Sequence, residues 1–335
     1  MVRRVLIAVV LVLLVSAIGG AWLWWHAQPS PKGEAYVGLD GVPLWNGVGQ
    51  VRQRIRRLAW GEKVILLDRY GDSVEVRTPH GTIGWMDQTR LITPAVWHET
   101  GALAARVRRM STQAQAHTAV LSNLRLDPGI TSPRIGQLPP HTPVEILARG
   151  VAPAPAGSVG AGEPRKQDWL LVRAHLPEGG QMAGWVLGEF ISLDLPDSLV
   201  GAASSAGLEP IACFPLRSVH DPLAGPKPYY LLAGSNGPEG QPCDFTMLRV
   251  YTWSVAHQQY ETSFVQNNLC GRLPIHVTFS TDSHQDVFFH FRNLQPAGPQ
   301  TLAFRMRSTI VSPFRAPMPM RNAAAEASRA PSAGR

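Results

Sequence analysis

The sequence is short of most features that mark a catalytic or nucleic-acid-binding chain. It has three cysteines in 335 residues, and charged residues make up 16% of it, against about 25% in an average soluble domain. None of its eleven histidines stands four residues from another, and no two cysteines have the C-x-x-C spacing. The short-range metal signatures are therefore missing, and we expect neither metal nor cofactor. Gly234-Ser235-Asn236-Gly237 is followed by no G-K-[ST] step and no helix pattern, so it is a turn and not a phosphate cradle. Of the net charge of +7, Arg3 and Arg4 carry two and the last twenty residues a net two more. The small remainder spread over the body gives nucleic acid little to bind. What the chain does have is 31 glycines, 29 prolines and 44% hydrophobic residues. That is enough to build cores, with turns frequent enough to favour short strands over a helical bundle. The length suggests two or three domains.

Residues 5–25 run without a charge and end on Trp22, Trp24 and Trp25. As a helix this stretch spans about 32 Å, the thickness of a hydrocarbon core. Arg3 and Arg4 on its amino side place residues 1–4 in the cytoplasm, and the tryptophans suit the far headgroup layer. We expect a single-span inner-membrane anchor, followed by a linker over 26–34 and an extracytoplasmic body. A cleaved signal peptide is the competing reading, since Gly19 and Ala21 are small enough for a processing site. Either way the body is exported, where disulfides form. Cys213, Cys243 and Cys270 allow three pairings with one thiol left over, and Cys213–Cys243 is one of them.

Shifting the chain by 80 residues lays 54–67 over 134–147 without a gap. Arg54, Ile55, Leu58, Val64 and Leu67 meet identical residues. Upstream, Leu44 and Gly49 meet Leu124 and Gly129. Downstream, Asp72-Ser73-Val74-Glu75-Val76-Arg77 matches Asp168-Trp169-Leu170-Leu171-Val172-Arg173, and Gly84-Trp85-Met86 matches Gly184-Trp185-Val186. The offset grows because the second copy carries a Pro/Ala/Gly insertion at 151–166. Each copy alternates apolar and polar residues in short runs, the pattern of a small antiparallel barrel.

The second copy resembles a bacterial SH3-like (SH3b) domain. The likeness runs from Asn123-Leu124-Arg125-Leu126-Asp127-Pro128 through Gly136-Gln137-Leu138 and Trp169-Leu170-Leu171-Val172 to Gly184-Trp185-Val186. The first copy departs from that pattern at Val42-Pro43-Leu44-Trp45 and at Ser73, which stands where a tryptophan is usual. The resemblance covers 35–93 and 119–195. It implies binding and not catalysis: such domains are typically exported, and several hold peptidoglycan peptides. Tandem copies behind an anchor also resemble exported SH3-domain proteins of unassigned function. On this reading Trp45, Trp60, Tyr70, Arg125 and Trp169 are the candidates to contact a ligand, with core and groove both open for Trp45, Trp60 and Trp169. Trp85 and Trp185 are expected to close their barrel cores. Arg52, Arg54, Arg56 and Arg57 crowd the first copy, as a solvated face or as a site for anionic polymer or lipid.

Between the copies, 94–118 turns alanine-rich, and Leu103, Val107 and Met110 fall on one side of a helix. Six strand-like runs at 229–232, 248–253, 260–265, 275–279, 287–291 and 302–306 point to a third, all-β domain over 196–315. Residues 316–335 read as a disordered tail. Cysteine catalysis needs an activated thiolate. Cys270 has His276 six residues on and Cys213 has His220 seven on, but both lie among strand and turn signals without a peptidase signature. His276, His284 and His290 near Asp282 and Asp286 have surface spacing.

The expected molecule is mainly β: two small SH3-like barrels joined by a helix, a third β domain and an N-terminal transmembrane helix. Its expected role is non-catalytic binding of peptidoglycan peptide or an envelope protein. A cell-wall hydrolase with its site in the C-terminal domain is the alternative.

Overall fold

The computed structural model describes residues 31–155, 165–175, 180–281, 285–295 and 298–314. The expected anchor at 5–25, most of the 151–166 insertion, Asp282, His284 and the tail from 316 lie outside the described residues. Among the described residues no helix is long and apolar enough to cross a membrane. The fold is mainly β, as expected. The chain divides into two compact units, one running to Gly101 and including Pro133–Gln137, the other holding Ala102–Ser132 and everything from Leu138 on.

The first sheet is built from β1 (Gly33–Val37), β2 (Val42–Trp45), β3 (Arg54–Leu58), β4 (Lys63–Tyr70), β5 (Ser73–Arg77), β6 (Ile83–Asp87) and β7 (Leu91–Ile92). Its strand order is β3-β2-β6-β5-β4-β1-β7. Alternation decides the inside. Val42 and Leu44, Val64, Val74 and Val76, and Met86 point inward with Val37 and Leu58, all at most 5% exposed, while their strand neighbours point out. A bulge between Leu66 and Asp68 turns Leu67 inward as well.

The second sheet takes β8 (Ala114–Thr118), β9 (Ser122–Arg125), β10 (Arg134–Leu138), β11 (Pro143–Pro153), β12 (Lys166–His175), β13 (Gln181–Leu187) and β14 (Ile191–Leu193). Its order is β10-β9-β13-β12-β11-β8-β14, the first order with seven added to every strand. The repeat in sequence is thus a repeat in topology. Between the sheets, only α1 (Pro94–Val107) is helical. Ala114–Thr118, expected in the connecting segment, is β8, the counterpart of β1.

The last third is a sandwich. β15 (Glu209–Asp221), β16 (Gly225–Ser235), β17 (Met247–Ser254) and β18 (Gln259–Gln266) form one four-stranded antiparallel sheet. β19 (Gly271–Phe279), β20 (Val287–Gln295), β21 (Gly298–Arg307) and β22 (Ile310–Pro313) form the other. Leu231, Leu248 and Val250 of the first face meet Ile275, Phe289, Phe291 and Phe304 of the second in one core. The first sheet's other face is covered by α2 (Asp197–Ser205), whose Leu199 and Ala203 pack with Leu232, Tyr251 and Tyr260. The sequence anticipated six of these eight strands and not the helix. It hid β15 because Pro210 and Pro215 interrupt the alternation. Both sit beside register shifts on an edge strand, where proline and bulges are tolerated.

Within the second unit, fully buried Gln113 ties the second sheet to the sandwich. Its backbone carbonyl accepts from the Cys213 N–H at 2.8 Å, and its side-chain oxygen accepts from the Ile275 N–H at 2.8 Å.

Candidate functional site

In both seven-stranded sheets the G-W step owes its form to a strand crossing. A Cβ on Gly84 would lie 2.7 Å from the Trp45 carbonyl oxygen and 2.8 Å from Leu44 Cγ. One on Gly184 would lie 3.0 Å from Leu124 Cβ and 3.1 Å from the Arg125 oxygen. Glycine lets β6 approach β2, and β13 approach β9, and the tryptophan that follows then points away from the core. Trp85 and Trp185 are accordingly half-buried on outer faces, contrary to the expectation that they close the cores. Met86 and Val186, one residue on, do that, each at most 1% exposed.

On the first sheet the outer face is partly exposed. Trp45 lies opposite Trp85 in the β2–β6 pairing, Trp85 opposite Glu75, and Ile83 opposite Arg77. Cross-strand partners share a face, so these side chains form one stripe. Further along it Asp87 opposes Ser73, whose β4 partner is Tyr70, 69% exposed. The Arg52 guanidinium stands 4.5 Å from the Trp45 ring centroid, a cation–π contact. Ile55 and Ile83 are exposed. The arginine cluster is divided: Arg56 donates to Glu62 at 3.1 Å and Arg57 to the Gly41 carbonyl at 3.4 Å, while Arg52 caps the aromatic stripe.

Trp60 is elsewhere. Its Nε1 donates to the Ile135 carbonyl at 2.8 Å, and its ring meets Trp97 edge-on at 5.1 Å, with Tyr36 stacked on Trp97. This tryptophan is spent on packing within the first unit, so it is not part of the open stripe.

The corresponding face of the second sheet is filled. Arg125 holds the place of Trp45, opposite Trp185, and donates to the Ser132 carbonyl at 2.6 Å. A Cβ on Gly150 would be 2.9 Å from both Pro128 and the Trp185 ring. Trp169, opposite Gly150, is 2% exposed. The structure thus brings Trp45 and Tyr70 onto an outer face, engages half-buried Trp60 with Ile135 and Trp97, and buries Trp169.

A second concave region, a cleft of about 200 Å³, lies in the second unit. On one side Arg149, its side chain 3% exposed, donates to both oxygens of Asp168, at 3.0 and 2.5 Å, and to the carbonyls of Gln241 and Cys243 at 3.0 and 2.9 Å. Asp244 is 3.6 Å away, with its carboxyl pushed upward by burial against the pull of Arg272 and Arg149. Glu189, Glu209 and Glu239 add carboxylates to the lining, and burial, then the charges of Asp168 and Glu189, push Glu239 upward. Sequence reading missed this node because its members lie up to 95 residues apart. The one trace of it is Asp168, which the repeat aligns with exposed Asp72.

The cysteines pair as Cys243–Cys270, correcting the Cys213–Cys243 pairing. Asp244 and Phe245 reach Gly271 through backbone hydrogen bonds, which brings those two cysteines together, whereas Cys213 lies on β15 with its N–H taken by Gln113. Burial pushes the Cys213 thiol up to about 12. A thiol at that value is almost wholly protonated at neutral pH, so it is no nucleophile. His276 and His290 stack at 4.9 Å across β19 and β20. Among the described residues no cluster of three or more His, Cys, Asp or Glu side chains is placed to hold a metal ion.

No family model and no curated protein matches the chain. Several solved structures are similar to it, three of them as follows. One is an NlpC/P60 family protein from Bacillus cereus ATCC 10987, at 12% identity over 70% of this chain and 94% of that one, with a TM-score of 0.22. NlpC1 from Trichomonas vaginalis is 9% identical over 72% and 89%, at 0.17. NlpC2 from the same organism is 12% identical over 86% and 98%, at 0.18. At such TM-scores the likeness carries no argument about this chain.

Proposed function

We propose that the chain is a membrane-anchored, non-catalytic binding protein of the cell envelope, and that its first SH3-like barrel holds a peptidoglycan peptide on the stripe around Trp45 and Trp85. The observation that carries this reading is the contrast between the two copies. The same strand order presents an open aromatic face in one and a filled face in the other. A flat face with two indoles, Arg52 at one end and Glu75 within it suits an extended peptide bearing both charge signs. Apolar portions stack on the rings while the ends find opposite charges. The second barrel, welded to the sandwich through Gln113 and Arg149, is the support. Export is supported by the apolar run at 5–25 behind Arg3 and Arg4 and by the disulfide, which forms in an oxidising compartment.

The full chain, solubilised in detergent, is incubated with purified peptidoglycan and sedimented. Retention is expected, with Trp45→Ala and Trp85→Ala each weakening it about tenfold and Trp185→Ala leaving it unchanged. Retention indifferent to Trp45 and Trp85 would remove the site. No retention, together with capture of a defined envelope protein, would make the chain an adaptor.

The alternative, a wall hydrolase with its site in the C-terminal domain, would need chemistry other than a thiolate, since Cys270 is in a disulfide and Cys213 is half-buried on a strand with its thiol pushed up to about 12 by burial. Release of new chain ends or free amino groups from wall fragments would place that reading first.

A further inference from the structure

The loop that follows β2 and the loop that follows β9 are repeats of each other in two different positions. The gapless match lays 126–133 over 46–53, eight residues on eight, with Gly129 on Gly49. In the first sheet the loop stands off the surface. Among the described residues a Cβ on Gly47 would meet nothing within 4 Å, and one on Gly49 would meet the Val51 carbonyl oxygen at 4.0 Å. Val51 itself is 100% exposed, and Arg52 reaches back to the Trp45 ring. In the second sheet the loop lies on the strands as a strap. Pro128 Cγ is 2.9 Å from where a Cβ of Gly150 would be, and a Cβ on Gly129 would be 3.5 Å from that of Ala152. Its ends are latched: Arg125 donates to the Ser132 carbonyl at 2.6 Å, and Ser132 Oγ accepts from the Asp127 N–H at 2.8 Å.

Gly150 and Ala152 are the cross-strand partners of Trp169 and Gln167, and such partners share a face. Trp169 and Gln167 therefore project on the side of the sheet that the strap covers. Each carries a buried polar atom that no described residue satisfies: the Trp169 Nε1–H, a donor on a side chain 2% exposed, and the Gln167 Oε1, an acceptor. Burying such groups unpaired is costly, and native interiors seldom do it. The strap is poorly equipped to pair them, since Pro128, the residue seated over Gly150, has no N–H to give. A donor and an acceptor two residues apart on one strand face complement the C=O and N–H that an extended peptide turns to one side.

From this we infer that the second sheet carries a second peptide-binding face, kept shut by the strap 126–133. When the latch opens, an extended peptide lies where the strap lay. Its carbonyl accepts from Trp169 Nε1, its N–H donates to Gln167 Oε1, and a side chain replaces Pro128 against the Trp185 ring. The first sheet, with its equal-length loop standing off, is the open form of the same arrangement. The inference rests on the reading of these sheets as peptide-binding faces, and adds to it a second face and the element that controls it.

The test uses the full chain carrying Trp45→Ala and Trp85→Ala, which silence the first sheet, with soluble peptides released from purified peptidoglycan as the probe and calorimetric titration as the readout. In one variant residues 127–132 take the sequence of 47–52, which removes both Pro128 and Ser132. In a milder one Pro128→Gly and Ser132→Ala loosen the strap at its own length. Each is expected to bind about tenfold tighter than the same chain with the native strap, the gain when a competent form present in about one molecule in ten becomes the rule. Trp169→Phe, which keeps a ring and removes the N–H, is expected to give back about fivefold, the worth of one hydrogen bond. In the wild type, saturating peptide is expected to speed hydrogen exchange at the Asp127 amide. No gain in either variant overturns the proposal, and so does an Asp127 amide that saturating peptide leaves unchanged. A gain that Trp169→Phe leaves intact also overturns it, by assigning the binding to the uncovered Trp185 ring alone. Failure of the first face is read separately, in the native-strap chain, as retention indifferent to Trp45 and Trp85.

Discussion

Trp85 stands directly across β2–β6 from Trp45, and one glycine makes that possible. Gly84 sits where a methyl group would be 2.7 Å from the Trp45 carbonyl and 2.8 Å from Leu44, which is fully buried. Neither obstacle is the free end of a flexible side chain. Gly84→Ala must therefore push the strands apart at the point that sets the aromatic stripe. Overpacking of this kind costs about 1–3 kcal/mol. The midpoint of urea unfolding should fall accordingly, and peptidoglycan retention should fall with it even where the variant is still folded.

The outline of this architecture was legible in the sequence; the face assignments were not. The in-register match of 54–67 to 134–147 announced two like sheets because barrel cores demand apolar residues at fixed intervals. The side on which a tryptophan falls depends on what opposes it. The G-W step reads alike whether its indole is inside or out, and only the closeness of β2, enforced by Gly84, settles that it is out. Trp60 and Trp169 were lost for the same reason: their partners, Ile135 and Gly150, come from distant segments. The Arg149 node had no local pattern beyond Asp168, since Arg149, Asp168 and the 241–244 segment come from three separate stretches of chain.

The disulfide gives a prediction that also tests the pairing. Cys243–Cys270 closes a segment with a sequence separation of 27. Closing a loop of that size stabilises by about 3.5 kcal/mol when the effect is treated as lost chain entropy. Reduction, or Cys270→Ser, should lower the unfolding midpoint by a comparable amount. Cys213→Ser should leave the crosslink intact. Alkylation of the unreduced, denatured chain followed by mass spectrometry should modify Cys213 alone.

Arg149 should be among the costliest surfaceless positions in the second unit. Its guanidinium, 3% exposed, pairs with Asp168, stands 3.6 Å from Asp244 and satisfies two backbone carbonyls. Removing one partner of a buried ionic network typically costs about 3–5 kcal/mol, because the other charges remain. Arg149→Ala should show a loss of that order in equilibrium unfolding. Arg149→Lys should recover only part of it, because an ammonium cannot reach both oxygens of Asp168 and the Gln241 and Cys243 carbonyls at once.

Asp221 sets the acid limit of the sandwich. The Trp253 indole N–H, first, and then the Ala224 and Leu223 backbone N–H groups and Gln258 hold its carboxyl down to about 2, against the upward push of desolvation. The unfolded chain titrates near an ordinary aspartate value of about 3.9. A folded value below the unfolded one means that the unfolded state binds the proton more tightly. The contribution is therefore fully present above about pH 4 and is lost as pH falls towards 2. Unfolding midpoints measured between about pH 5 and pH 2 should drop more steeply for the wild type than for Asp221→Asn, which has no charge to lose. If the two curves run parallel, the four donors do not favour the ionised carboxylate and the turn carrying Leu223 is held by something else.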